Sequence, residues 1–206
     1  IFSLLDFLTE LADFLNGNDR KLAISFIQLI LREEHMAYVM DDDGSVRPKV
    51  DIAFASDVEA AIASMGKPRY AAVRSEFEAG QTALTPVDPN WTQATRHTFL
   101  ALENLFKLMF PGQQRLGTGE ANNMLKPVLD SRYASAPTAV KTEALKMLSA
   151  FKSWIEAGHF ERHAQGTEAP HSVPEELGAL MVSQGASYLR WLIELDGYML
   201  EHQVQA

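Results

Sequence analysis

The chain has 206 residues, 47% of them hydrophobic, enough for a buried core and short enough that one domain, or one domain with a helical appendage, is the default. It contains no cysteine, which excludes disulfides, thiolate zinc sites and cysteine nucleophiles and fits a reducing cytoplasm. Lys and Arg number 18 against 27 Asp and Glu, a net charge of −9 that repels phosphate backbones, so tight, sequence-independent binding to duplex DNA is not expected.

Helical periodicity dominates from the first residue. Leu4, Leu5, Leu8, Leu11, Ala12 and Leu15 trace one face of a helix that Asn16 and Gly17 close. Asp6, Glu10 and Asp13 recur along it, with no basic flank or small-residue cleavage site, so an amphipathic helix is expected rather than an export signal. A second helix is expected from about Asn18 to Glu34, with Leu22, Phe26, Leu29 and Ile30 turned inward. No run of about 18 apolar residues occurs anywhere, so no membrane partner is expected. Residues 37–50, AYVMDDDGSVRPKV, hold two short β-compatible pieces around an Asp-Asp-Gly turn. Three aspartates suggest calcium, but a calcium loop needs a bidentate glutamate about six residues after its glycine, and position 50 is Val.

Ser56 and Glu59 have capping-box spacing and open a short helix ending near Gly66; another follows from about Pro68 to Leu84. TPVDPN, residues 85–90, with its two prolines, marks the domain boundary. Residues 1–84 form an N-terminal helical segment with a small β-hairpin, and residues 90–206 a helical bundle. In that bundle Asn90 caps a helix with Trp91, Ala94, Thr98, Leu102, Leu105, Phe106 and Met109 inward, stopped by Pro111 and Gly112. A shorter helix starts at Thr118. A long one runs from Pro137 to Gly158 through Val140, Ala144, Met147, Leu148, Phe151, Trp154 and Ile155. The last opens at Ser172 and continues to about Gln203. The fold class is therefore all-α, its second half an antiparallel bundle of three long helices and one short one.

Between the last two helices lies HFERHAQGTEAPHS, residues 159–172, with three of the six histidines and one arginine. His159, Arg162 and His163 share a helical face if the preceding helix continues, and His171 precedes the start of the next. Three readings stay open. The histidines cap helix ends while Arg162 pairs with an acid such as Glu103 or Glu156. Alternatively Glu156, His159 and His163 line up as metal ligands, although a carboxylate-bridged di-metal bundle needs a second such helix. In the third, histidine moves protons and arginine stabilises the crowded charge of a phosphoryl transition state, a metal-free chemistry open to RNA because its 2′-hydroxyl is the nucleophile.

REEHMAYVMDDDGSVRPKV, SDVEAAIAS and WTQATRHTFLALENLFKLM, followed later by WIEAGHFERHAQG and SQGASYLRWLIELD, together resemble the bacterial abortive-infection proteins. These belong to the broad HEPN class of nucleotide-binding helical bundles, and the resemblance covers roughly residues 30–200. It implies an HEPN-like four-helix bundle and a defence or toxin-type, metal-independent endoribonuclease acting as a homodimer. RNA would be the substrate and an antitoxin or other protein a partner, with no cofactor and no resident metal. Carried over, the catalytic arginine is Arg162 and its companion His163 or His171, with His159 and Glu103 as orienting groups. The family places its histidine a few residues beyond the arginine; here the choices are the adjacent His163 and the more distant His171. A non-catalytic interaction module is the alternative.

Trp91, Trp154 and Trp191 sit among leucines at helical spacing and are expected in the core. Arg96 and His97 are expected on a solvated face, and Lys67, Arg69 and Arg74 are too sparse for an RNA track.

Overall fold

The computed structural model describes residues 7–8, 10–11, 14–33, 38–48, 52–86, 89–158 and 172–202. It is mostly helical and divides into two compact units, Ile1–Ala55 and Ser56–Ala206.

In the first unit, helix α1 (Gly17–Glu33) starts at Gly17, whose φ of 58° is left-handed. Two three-residue strands, β1 (Tyr38–Met40) and β2 (Val46–Pro48), pair antiparallel in the register Tyr38 to Pro48, Val39 to Arg47 and Met40 to Val46. The intervening aspartates build the turn. The Gly44 amide donates to the Asp41 carbonyl at 2.9 Å and the Ser45 amide to Asp43 Oδ1 at 2.9 Å. Hydrogen bonds from Ser45 hold the Asp43 carboxyl below its ordinary range. Two donors of α1 reach the turn: Gln28 Nε2 to the Met40 carbonyl at 2.9 Å, and Arg20 Nη2 to the Asp43 carbonyl at 2.6 Å.

The apolar face of α1 is opposite to the expected one. Ile24, Ile27 and Leu31 are buried with Met40, against Leu8, Tyr38 and Val46, while Leu22 is 75% and Phe26 62% exposed. Leu29 and Ile30 are exposed beside them. The helix carries two apolar stripes about half a turn apart, and periodicity weighed only the larger; the hairpin, held by Gln28 and Arg20, selects the other.

Helix α2 (Ile52–Ser64) crosses the division, and the second unit continues with a 3₁₀ turn (Pro68–Tyr70), α3 (Ala71–Thr82), α4 (Trp91–Met109), α5 (Thr118–Arg132), α6 (Thr138–Ala157) and α7 (Glu175–His202). Helix α2 begins ahead of Ser56, so Ser56 and Glu59 lie inside it and do not cap it. The compact units divide after Ala55, and α3 and α4, on either side of residues 85–90, pack along each other in opposite directions. Gly80 lies against Ala94, and Glu76 meets His97. The Asn90 cap forms as expected, its Oδ1 accepting the Gln93 amide at 3.0 Å.

Helix α4 is the centre of the core, with Phe99, Leu102, Leu105 and Phe106 essentially sealed from solvent. Its other long neighbour is α7, and the two run in the same direction: Gly178 faces Trp91, and Gly185 faces Thr98. These glycines let the backbones close, since a Cβ at 178 would stand 2.7 Å from Trp91 Cβ. Helix α6 opposes α7, with Trp154 Nε1 donating to the Met181 carbonyl at 3.1 Å and Phe151 packed on Tyr188. It also opposes α5, through Lys152 and Asn122. The expected antiparallel order therefore fails between α4 and α7. Pro111 and Gly112 end α4, but the chain does not reverse tightly there: residues 113–117 lack regular structure, and Leu116 is fully buried. That segment delivers α5 in the same direction as α4 and α7, and α6 alone returns among these four.

Trp91 and Trp154 are buried as expected, and Trp191 is half-buried. Trp154 stacks on Phe99 with ring centroids 5.8 Å apart and lies beside Phe151 and Tyr188, so these aromatics bind α4, α6 and α7 together.

Candidate functional site

His159, Arg162, His163 and His171 lie at 159–171, outside the described residues. Glu103 and Glu156 are described. Glu156 is exposed in the last turn of α6. Glu103 is only 7% exposed in the second half of α4, an acid among sealed apolar side chains, with Oε1 2.8 Å from Lys107 Nζ one turn later. Among the described residues no group of three or more His, Asp or Glu side chains is placed to hold a metal ion.

The residues flanking 159–171 are fixed on α4. Gly158, the cap of α6, packs so closely on Phe99 that a Cβ there would stand 2.9 Å from Phe99 Cδ2. On the other side, the Val173 amide donates to Thr92 Oγ1 at 2.9 Å. Thr92, Thr95, Phe99 and Glu103 follow one another at intervals of three and four and so share a face of α4. Thr95 Oγ1 is buried on that face with no hydrogen-bond partner. Glu103 is one turn, about 6 Å of rise, beyond Phe99. The face that receives both flanks of the histidine-rich segment thus also carries a buried carboxylate.

A second polar cluster lies outside the site expected from the sequence. Asp196 of α7 is 1% exposed and accepts two hydrogen bonds from Arg69, Nε to Oδ2 at 2.7 Å and Nη2 to Oδ1 at 3.0 Å. The Tyr70 hydroxyl donates to Oδ2 at 2.8 Å, and Arg69 Nη2 also reaches the Leu108 carbonyl at 3.2 Å. The Asp196 bond holds the guanidinium above its ordinary pKa, while burial first and then Asp196 push the Tyr70 phenol up to about 12. Both carboxylate oxygens are occupied, so the cluster works as a tie between the 3₁₀ turn, α4 and α7. Leu108 is about 24 Å of helical rise from Thr92, so this tie and the flanks of 159–171 lie at opposite ends of α4. A signal existed: Asp196 falls in the apolar stripe of α7, four residues after Leu192 and three before Met199, where an acid needs a partner.

His97, expected on a solvated face, is only 30% exposed, its Nδ1 2.7 Å from Glu76 Oε1, and it joins α4 to α3. Arg74 pairs with Glu78 one turn along the same helix.

No known protein family, curated protein or solved structure matches the chain.

Proposed function

We propose that the chain is an RNA-targeting, defence or toxin-type protein of the HEPN-like kind, a metal-independent endoribonuclease whose site is the segment 159–171 together with Glu103. Arg162 stabilises charge on the phosphoryl group, and His163 or His171 serves as acid or base. His159 and Glu103 orient them. The observation that carries the reading is the fixing of both flanks, Gly158 on Phe99 and Val173 on Thr92, to the α4 face that bears the buried Glu103. The RNA 2′-hydroxyl gives up its proton to a histidine and attacks the adjacent phosphorus; the 5′-oxygen leaves with a proton from a second histidine. The products are a 2′,3′-cyclic phosphate and a 5′-hydroxyl. The protein works in the cytoplasm as a homodimer through its long helices, held in check by an antitoxin-type partner. Val140 and Met147, seven residues apart on one face of α6 and both exposed, support such an apolar contact.

The test is purified protein on an RNA pool, with end-group analysis of the products and chelator added throughout. Wild type is expected to leave cyclic-phosphate ends and Arg162→Ala to leave the pool intact while folding normally. Intact RNA with both proteins, and equal growth of cells expressing either, would falsify the nuclease reading and leave a non-catalytic interaction module. That alternative is favoured by the uncovered apolar stripe of α1.

A further inference from the structure

The outward stripe of α1 has no role in the proposed nuclease. Leu22, Phe26, Leu29 and Ile30 recur at intervals of four, three and one, so they form one continuous face, and all four are exposed. A shallow, open depression lies along it, lined by Leu22, Ala23, Phe26 and Leu29 with Asp19 at one end. The opposite face of the same helix covers the core of its unit, with Ile24, Ile27 and Leu31 buried there. An exposed apolar helix face of this kind is one half of a helix-on-helix contact.

Charge selects the occupant. Asp19 lies one turn before Leu22 and Glu33 one turn after Leu29, both exposed, so the stripe is acidic at each end. Arg20, next to Asp19 in sequence, donates to the Asp43 carbonyl, and Lys21 lies more than a quarter turn from the middle of the stripe. Residues 1–55 hold ten acidic and five basic side chains. A second copy laid antiparallel on the stripe would set Asp19 against Glu33 at both ends, like charge on like charge. An anionic lipid surface meets the same repulsion. We infer that the α1 stripe docks an amphipathic helix of a partner protein, its apolar anchors flanked by Lys or Arg. The inference stands apart from RNA cleavage.

Fluorescence anisotropy tests it on the full chain, with two labelled amphipathic peptides of about four turns. Both carry leucines at matching spacing; one is flanked by lysines, the other by glutamates. The lysine-flanked peptide should bind, with the glutamate-flanked one at least about tenfold weaker; Phe26→Asp should cost about tenfold or more, as loss of a central aromatic anchor does. Phe26 is exposed, so the variant keeps its fold, which circular dichroism checks. The double variant Asp19→Lys, Glu33→Lys should reverse the preference between peptides. Equal binding of the two peptides, binding of neither, binding to phosphatidylglycerol vesicles, or a dimer in sedimentation that Phe26→Asp dissolves would each overturn the inference.

Discussion

Arg69 and Asp196, 127 residues apart in sequence, close a two-pronged ion pair whose carboxylate is sealed while its guanidinium keeps a third of its surface in water. That asymmetry ranks the single substitutions. Arg69→Ala strands a buried carboxylate and should cost roughly 3–5 kcal/mol. Asp196→Ala lets the guanidinium turn to solvent but leaves the buried Tyr70 hydroxyl without its acceptor, about 2–3 kcal/mol. Replacing both by Met and Leu should cost less than either, which equilibrium urea unfolding of the three variants measures. A larger loss from Asp196→Ala than from Arg69→Ala would contradict this account.

The same cluster gives stability a dependence on alkaline pH. Burial, then the Asp196 hydrogen bond, push the Tyr70 phenol from about 10 to about 12 in the folded protein. A raised pKa favours the protonated form in the native state, so its contribution is complete below about pH 10 and disappears as pH rises through about 12. The stability difference between wild type and Tyr70→Phe should shrink across that window and be flat below it. Burial also raises Tyr188, so ultraviolet titration needs Phe variants of both to assign the late-ionising phenols.

Glycines at 178 and 185 set the approach of α7 to α4. A Cβ at 185 would overlap Thr98 Cγ2 and stand 3.1 Å from Trp154 Cζ2. Gly185→Ala should therefore destabilise by about 1–3 kcal/mol despite its better helix propensity. Thr98→Ser removes the obstructing methyl and should restore most of the loss in the double variant. Thermal unfolding of the four proteins closes the cycle, and strict additivity would mean that the clash is not the cause.

Element type was legible because most helices carry one dominant apolar stripe and local caps: the α4 stripe and the Asn90 cap needed nothing beyond neighbouring residues. Three features depended on distant partners. The inward face of α1 is chosen by Gln28 and Arg20 bonding the hairpin, which a residue count on α1 alone does not register. The parallel course of α4 and α7 follows from a connection at 113–117 that lacks regular structure and is anchored by buried Leu116, whereas Pro111-Gly112 read by itself indicates a reversal. The Arg69–Asp196 tie joins a turn to a helix far along the chain, and Arg69 was weighed only against its basic neighbours. Of the site read from the sequence, Glu103 alone is among the described residues, and its burial was not legible, because the expected inward stripe of α4 leaves position 103 out.

Glu103 separates orientation from charge stabilisation in the proposed nuclease. Its side chain has little access to water, and the Lys107 side chain one turn away is 40% exposed, so their ion pair reaches Glu103 from the solvent side. Glu103→Gln keeps shape and burial and should cost about 1 kcal/mol of stability. Cleavage should fall about ten- to a hundredfold, less than the loss of the arginine itself, because an orienting group acts through geometry and not on the phosphoryl charge. Lys107→Met should leave cleavage unchanged and cost under about 1 kcal/mol. Rates from single-turnover cleavage, read beside urea unfolding of the same preparations, decide the matter. Wild-type rates with Glu103→Gln and none with Arg162→Ala would remove Glu103 from the site and keep the arginine there.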